Sequence, residues 1–269
     1  MNFDPQLDAL QNAIRITGAF IRKEYEGFDR DRVEIKGRND LVSYVDRTAE
    51  EQLVSQLQRL TPGCGFINEE SGRHRTDSPQ VWIIDPLDGT TNFVYGVPVF
   101  SISVALKDTQ DGKEEIVLGC VYDVMRDELF HARKGHGAYL NGKRIAVGTA
   151  ETLETALIAY GAMHSKHLVL ADFLQMLGAF MQRSRGLRRL GSAALDLAYT
   201  AAGRFDGFFE AQLHPWDVAA GSLLVQEAGG HVSDFFGGPD YLFGRSILAG
   251  NTRVHQEMQD LLGGFIEKK

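Results

Sequence analysis

The sequence predicts a layered α/β protein with helices packed on sheets in both halves of the chain. Three observations predict it. Helix-period and strand-period apolar patterns occur both before and after residue 150. The apolar runs are short, and none approaches the roughly 20 residues of a membrane span. No repeat, low-complexity tract or Pro/Ser-rich linker separates the halves, so 1–149 and 150–269 should pack as one unit, with a boundary near Val147 to Thr152.

In order along the chain, Leu7, Leu10, Ile14, Thr17 and Ile21 follow helical spacing and predict an opening amphipathic helix. The pattern recurs from about Asp46 to Leu60 through Ala49, Leu53 and Leu57. There Thr48 with Glu51 reads as a capping box, and Thr61-Pro62-Gly63 ends the helix. Val81-Trp82-Ile83-Ile84 reads as a short strand that stops at Asp85-Pro86. Phe100 to Leu106 and Ile116 to Tyr122 read as further strands. Leu129 to Arg133 and Ala138 to Leu140 flank a Gly-containing turn, and Asn141-Gly142 is a strong hairpin signal. The first half is thus two helices and an antiparallel-leaning sheet. In the second half the pattern gives a strand at Leu157 to Tyr160 and helices near His167 to Gln182 and Ser192 to Ala202. A strand at Phe205 to Glu210, a helix from about Asp217 to Ala228 and a strand at Ile247 to Ala249 follow. A last helix carries Val254, Met258, Leu261 and Phe265 on one face.

Composition narrows the function. The 269 residues are 43% hydrophobic and 24% charged, ordinary for a soluble globular protein. A net charge of −8 provides no global field for nucleic acid or anionic lipid, so neither is expected as a partner. An acidic protein that took an anionic phosphate would need a local reversal of sign, which a divalent cation supplies. Cys64 and Cys120 stand in unrelated contexts without metal-type spacing, and the N-terminus lacks a basic and an apolar region. The expectation is a cytoplasmic protein with free thiols.

The most informative stretch runs from Trp82 to Asn92, WIIDPLDGTTN. An apolar strand delivers Asp85 at its end, and Pro86 forces a turn that can bring Asp88 back beside it. Two carboxylates so placed repel unless a cation lies between them, and hard oxygen ligands of this kind suit Mg²⁺. Gly89 permits close backbone approach to a ligand, and Thr90-Thr91-Asn92 can open a helix toward a phosphate. Alone, each dipeptide here is more simply a turn.

WIIDPLDGTTNF resembles the first signature of the inositol monophosphatase family, Mg²⁺-dependent and lithium-sensitive phosphatases. Trp216-Asp217-Val218-Ala219-Ala220-Gly221 resembles the second, with Glu227-Ala228-Gly229-Gly230 downstream. Gly191-Ser192-Ala193-Ala194 and Gly203 to Glu210 resemble the family's substrate-side segments, so the match covers nearly the whole chain. The resemblance implies an αβαβα sandwich, usually a homodimer, with two or three Mg²⁺ per active site. By position it implies that Asp85 bridges two ions, that Asp88 and Asp217 bind the second, and that Glu69 and the Leu87 carbonyl bind the first. Asp46 and Thr90 would poise the attacking water, with Glu69 orienting it. The Gly89 and Thr90 amides would hold the phosphate. Asp88, Glu210 and the Ala193 backbone would meet the substrate hydroxyls.

The chemistry agrees with that implication. Asp46, Glu69, Asp85, Asp88 and Asp217 come from separated segments, and a metal makes gathering them favourable. No Cys-x5-Arg loop or DxDxT pattern offers a side-chain nucleophile. Asn68 stands where many relatives have Gly, Lys36 sits at a shortened spacing, and Gly161 to Ser165 lacks a match, which opens the question of substrate. Inositol-1-phosphate is the first expectation. Histidinol phosphate, fructose-1,6-bisphosphate and a nucleotide 3′-phosphate are rivals within the fold, although DGTTNF argues against the last. A regulatory binding protein that uses Arg183, Arg185, Arg188 and Arg189 is the non-enzyme alternative. His164 and His167 read as surface residues, and His214 as structural or rim-facing. Phe205, Phe208 and Phe209 read as core, and Asp123, Asp127 and Glu128 as solvated.

Overall fold

A computed structural model of the protein describes residues 3–28, 33–37, 40–110, 112–161 and 170–265. The apolar spacing of the first segment forms α1 (Asp4–Glu26), which buries Leu10, Ile14, Thr17 and Ile21. A hairpin of β1 (Val33–Gly37) and β2 (Asp40–Ser43) leads into α2 (Tyr44–Leu60). Sequence reasoning missed this hairpin and placed the α2 capping box too late. Ser43, not Thr48, is the N-cap, and Asp46, not Glu51, closes the box.

The short strands β3 (Gly65–Asn68) and β4 (Gly72–His74), also missed, precede β5 (Gln80–Asp88). The expected stop at Asp85-Pro86 is a register irregularity, and pairing resumes at Asp88. The Pro86 ring withholds one ladder hydrogen bond without ending the strand. Val81 and Ile83 belong to one core and Trp82 and Ile84 to another, so β5 is apolar on both faces because both are covered. A short α3 (Thr90–Tyr95) follows, then β6 (Ser101–Gln110), β7 (Lys113–Asp123), β8 (Glu128–Arg133), β9 (Ala138–Leu140) and β10 (Lys143–Arg144). Asn141 and Gly142, at φ 47° and 77°, make the two-residue β9–β10 turn that the sequence indicated. The sheet order is β10-β9-β8-β7-β6-β5-β3-β4, antiparallel except for β3 beside β5.

The second sheet holds β11 (Leu157–Tyr160), β12 (Gly186–Arg188), β13 (Gly207–Ala211), β14 (His231–Ser233) and β15 (Ser246–Gly250), in the order β12-β11-β13-β15-β14. Its helices are α4 (Leu170–Arg183), α5 (Ala193–Ala201), α6 (Pro215–Glu227) and α7 (Thr252–Gly263). Helices α1 and α2 cover one face of the first sheet, and α4 and α7 cover the far face of the second. Between the sheets lie α5, buried along its length, and α6, which has no polar face from Val218 to Val225. The protein is an αβαβα sandwich. Gly221 permits the close α5–α6 packing, because a Cβ there would lie 2.5 Å from the Leu197 Cβ.

Phe205, Phe208 and Phe209 are core residues, as expected. Asp123 is not solvated: fully buried, it accepts from the Tyr199 hydroxyl at 2.6 Å and from Arg126. Glu128 pairs with both Arg204 terminal nitrogens. Asp127 accepts from the Tyr122 hydroxyl at 2.7 Å and pairs with Arg15, though its side chain stays exposed. His164, His167, residues 162–165 and the Lys36 side chain lie outside the described residues. No helix among the described residues is long and apolar enough to cross a membrane.

Candidate active site

The two faces of β5 decide where its acids point. Asp85 continues the alternation of Val81 and Ile83 toward the middle layer. It is 1% exposed, and its Oδ1 accepts from the Leu87 amide at 3.0 Å, which folds the Asp-Pro-Leu segment back on itself. The register irregularity then lets Asp88 reach the same layer. Its Oδ2 accepts from Ser192 Oγ at 2.6 Å and from the Ala194 amide at 2.7 Å, at the start of α5. Asp217 is the third residue of α6, and its Oδ2 accepts from the His214 amide at 2.6 Å. Asp85, Asp88 and Asp217 each offer a carboxylate oxygen, and the three oxygens lie within 4.8 Å of one another.

Glu69 and Asp46 come from the end of β3 and the start of α2. Glu69 follows β3, and its amide donates to the Ile84 carbonyl at 3.2 Å. The loop behind it is held by Glu50 of α2, whose carboxylate accepts from the Glu70 amide at 2.8 Å and the Ser71 amide at 2.9 Å. Sequence reasoning missed Glu50. Its signal was an acid on the buried face of α2, four residues after Asp46. Asp46 Oδ2 accepts from the Ser43 amide and hydroxyl, and its Oδ1 accepts from Thr90 Oγ1 at 2.9 Å. The Thr90 hydroxyl also lies 3.0 Å from the Leu87 carbonyl oxygen.

Gly89 holds φ at +100°, and a Cβ there would come within 3.1 Å of the Val99 carbonyl oxygen and 3.3 Å of the Gly191 one. Asn92 explains that approach. Its Nδ2 donates to the Val99 carbonyl at 2.7 Å and to the Leu190 carbonyl at 2.8 Å, tying the loop before α5 to α3. Glu210, at the end of β13, stands outside the three-acid group. Its carboxylate occupies the place a Gly161 side chain would take. Asp196 of α5 is 1% exposed, its carboxyl is pushed up by burial and by the charges of Glu210 and Asp88, and its Oδ1 has no hydrogen-bond partner. Sequence reasoning missed it. Ala193 opens α5 and is nearly buried. His214 is the N-cap of α6 and stacks on Trp216 with ring centroids 4.5 Å apart, a structural placement.

These acids are costly to ionise. Burial pushes Asp85 well above the usual carboxylate range, and the charges of Glu69, Asp88 and Asp217 push it further. Burial does the same to Glu69, with Asp217 adding to it. Asp88 is pushed up to about 6 by burial, against the hydrogen bonds from Ser192 and Ala194. Burial and the Asp88 charge push Asp217 to about 7, with Arg245 opposing. Asp46 is raised by burial and held down by Ser43 and Thr90. Glu69 Oε2 is buried without a hydrogen-bond partner. A crowded set of hard carboxylate oxygens with one orphaned atom fits a divalent cation such as Mg²⁺.

The chain is similar to known proteins along nearly its whole length. A family model described as the inositol monophosphatase family matches residues 3–263. The Nus factor SuhB of Escherichia coli K12 is 45% identical over 255 residues, 94% of each chain. An inositol-1-monophosphatase of Mesorhizobium japonicum is 42% identical over 253 residues, also 94% of each. The crystal structure of the extragenic suppressor protein suhB from Bartonella henselae superposes with a TM-score of 0.91 at 39% identity, covering 98% of this chain and 100% of that one.

Proposed function

The chain belongs to the inositol monophosphatase family and is a phosphatase, and from that premise we propose that it hydrolyses a small polyol phosphate monoester with Mg²⁺, inositol-1-phosphate first among candidates. The observation that carries the reading is the convergence of Asp85, Asp88 and Asp217 oxygens within 4.8 Å beside the orphaned Glu69 oxygen. In this reading Asp85, Asp88, Asp217, Glu69 and the Leu87 carbonyl would hold the cations, two or three in number. When bound, Mg²⁺ supplies charge for the phosphoryl oxygens and acidifies a water. The chain's own residues do the rest. The Thr90 hydroxyl, its proton directed to Asp46, presents a lone pair that can hold the attacking water in line, and Glu69 orients that water. The Gly89 and Thr90 amides take phosphate oxygens. Asp88, Glu210 and the Ala193 backbone accept or donate hydrogen bonds at the alcohol.

Phosphate release tests this across inositol-1-phosphate, histidinol phosphate, fructose-1,6-bisphosphate and a nucleotide 3′-phosphate, with Mg²⁺ and with EDTA. Turnover with the first, lost in EDTA and reduced by Li⁺, is the expected result. No turnover with any of them by folded, Mg²⁺-loaded protein would overturn the reading.

We also place a homodimer contact on α4. Leu170, Leu174 and Met181 are 70%, 57% and 68% exposed and fall on one helical stripe. A second copy presenting the same stripe would cover it. A second reading, a regulatory factor, is favoured by the name Nus factor carried by relatives and by the exposed Arg183, Arg185, Arg188 and Arg189 beside that stripe. Charge reversal at Arg185 and Arg188 should leave phosphate release unchanged and separates the two roles.

A further inference from the structure

We propose that Ser101 and Ser103 are positioning residues that dock the starts of α5 and α6 against the acidic cluster, a role that rests on the metal-site reading above. In the β5–β6 pairing Ser101 lies opposite Asp88 and Ser103 opposite Asp85. Two residues apart, the serines share one face with Ala105, which belongs to the core between the sheets. Ile102 and Val104 point the other way, into the α1–α2 core. Both serines are buried, at 0% and 1% exposure, where a hydroxyl is tolerated only with a partner.

The partners are the two helix starts. Ser103 Oγ donates at 3.0 Å to the carbonyl of Trp216, the peptide that leads into Asp217. Ser101 Oγ lies 3.2 Å from Oγ of Ser192, the N-cap of α5. The direction of that bond follows from chemistry. Ser192 has one hydroxyl hydrogen and gives it to Asp88 Oδ2, which as a carboxylate only accepts. Ser101 must therefore donate to Ser192, and the chain runs Ser101 to Ser192 to Asp88. The strand beside the one bearing the acids thus holds both helices that complete the site. Two residues of strand, roughly 7 Å, set the separation of the two pinned helix starts. That spacing sets how Asp217 meets Asp85 and Asp88.

The test uses the full chain with Tb³⁺ as a luminescent probe of the cation site, excited through tryptophan, beside Mg²⁺ activation of phosphate release. Ser101→Cys and Ser103→Cys keep the side-chain shape with a slightly larger atom and weaken the donor; Ser101→Ala and Ser103→Ala serve where a cysteine misfolds. Each should weaken Tb³⁺ binding and raise the Mg²⁺ concentration for half-activation about three- to tenfold, the share of one buried neutral hydrogen bond. Ser222→Ala is the structural control. Its hydroxyl bonds the Val218 carbonyl at 2.6 Å, a bond internal to α6. It should lower Tm and leave both metal readouts at the wild-type value. Serine variants with wild-type metal readouts, or a Ser222→Ala shift as large as theirs, would overturn the inference alone. A wild type that neither binds Tb³⁺ nor releases phosphate would overturn the metal-site reading and this inference with it.

Discussion

Asp85→Asn should make the metal-free protein more stable while destroying its activity. The substitution preserves an oxygen for the Leu87 amide, so the fold of the Asp-Pro-Leu segment survives. It removes one charge from three carboxylate oxygens that lie within 4.8 Å of one another. At that distance and an effective dielectric of about 20, each pair of full charges repels by about 3.5 kcal/mol. The wild type escapes part of this by retaining protons, since burial pushes Asp85 well above its ordinary range. A realised gain of about 2 kcal/mol remains, or about 4–8 °C in Tm for a chain of this size. Mg²⁺ should raise the wild-type Tm and leave the variant's unmoved. Turnover should fall at least about a hundredfold, because cation charge on the phosphoryl group is worth several kcal/mol. The assay is thermal unfolding at pH 8 in EDTA and in Mg²⁺, with phosphate release alongside. A variant that is less stable than wild type in EDTA, still stabilised by Mg²⁺ and still active would refute the reasoning.

Thr90→Val keeps the shape of the side chain and loses the hydroxyl that lies 2.9 Å from Asp46; kcat should drop about 10²–10⁴-fold with KM little changed, measured by steady-state kinetics. Ser43→Ala removes the α2 cap and should cost about 1 kcal/mol in denaturant unfolding, with a fall in kcat because Asp46 loses its Ser43 hydroxyl partner. Asp88 and Asp217, at about 6 and about 7 against an ordinary 3.8, keep protons in the folded metal-free protein that the unfolded chain has released. Stability in EDTA should therefore fall as pH rises from about 4 to about 7, and Mg²⁺ should remove that slope; parallel melting curves with and without Mg²⁺ would contradict it. Leu174→Asp on the α4 stripe should convert a dimer to a monomer in sedimentation velocity, and an unchanged sedimentation coefficient would remove α4 from the contact.

Local chemistry decided what could be read from the chain. Asp85 and Asp88 were visible because a both-faces-apolar strand ends in them. Asp217 lies 129 positions after Asp88, and only resemblance to a known signature joined the two. The α2 start was misplaced because Ser43-x-x-Asp46 and Thr48-x-x-Glu51 both fit a capping pattern. The unforeseen hairpin ending at Ser43 chose the first. The contacts made by Glu50, Asn92, Ser101 and Asp196 went unread for a different reason. Each residue bonds a group remote in sequence, as Asn92 does the Leu190 carbonyl, or, like Asp196 Oδ1, has an atom with no hydrogen-bond partner.

Asp46 and Asp217 each turn back to accept the N-cap amide of their own helix, three residues away. The turn of each side chain toward its own helix is thus written into a four-residue segment, and Thr90 and Ser103 add the contacts from across the cleft. On the proposed reading, residues near the alcohol, Glu210 among them, could therefore change without rewriting either segment.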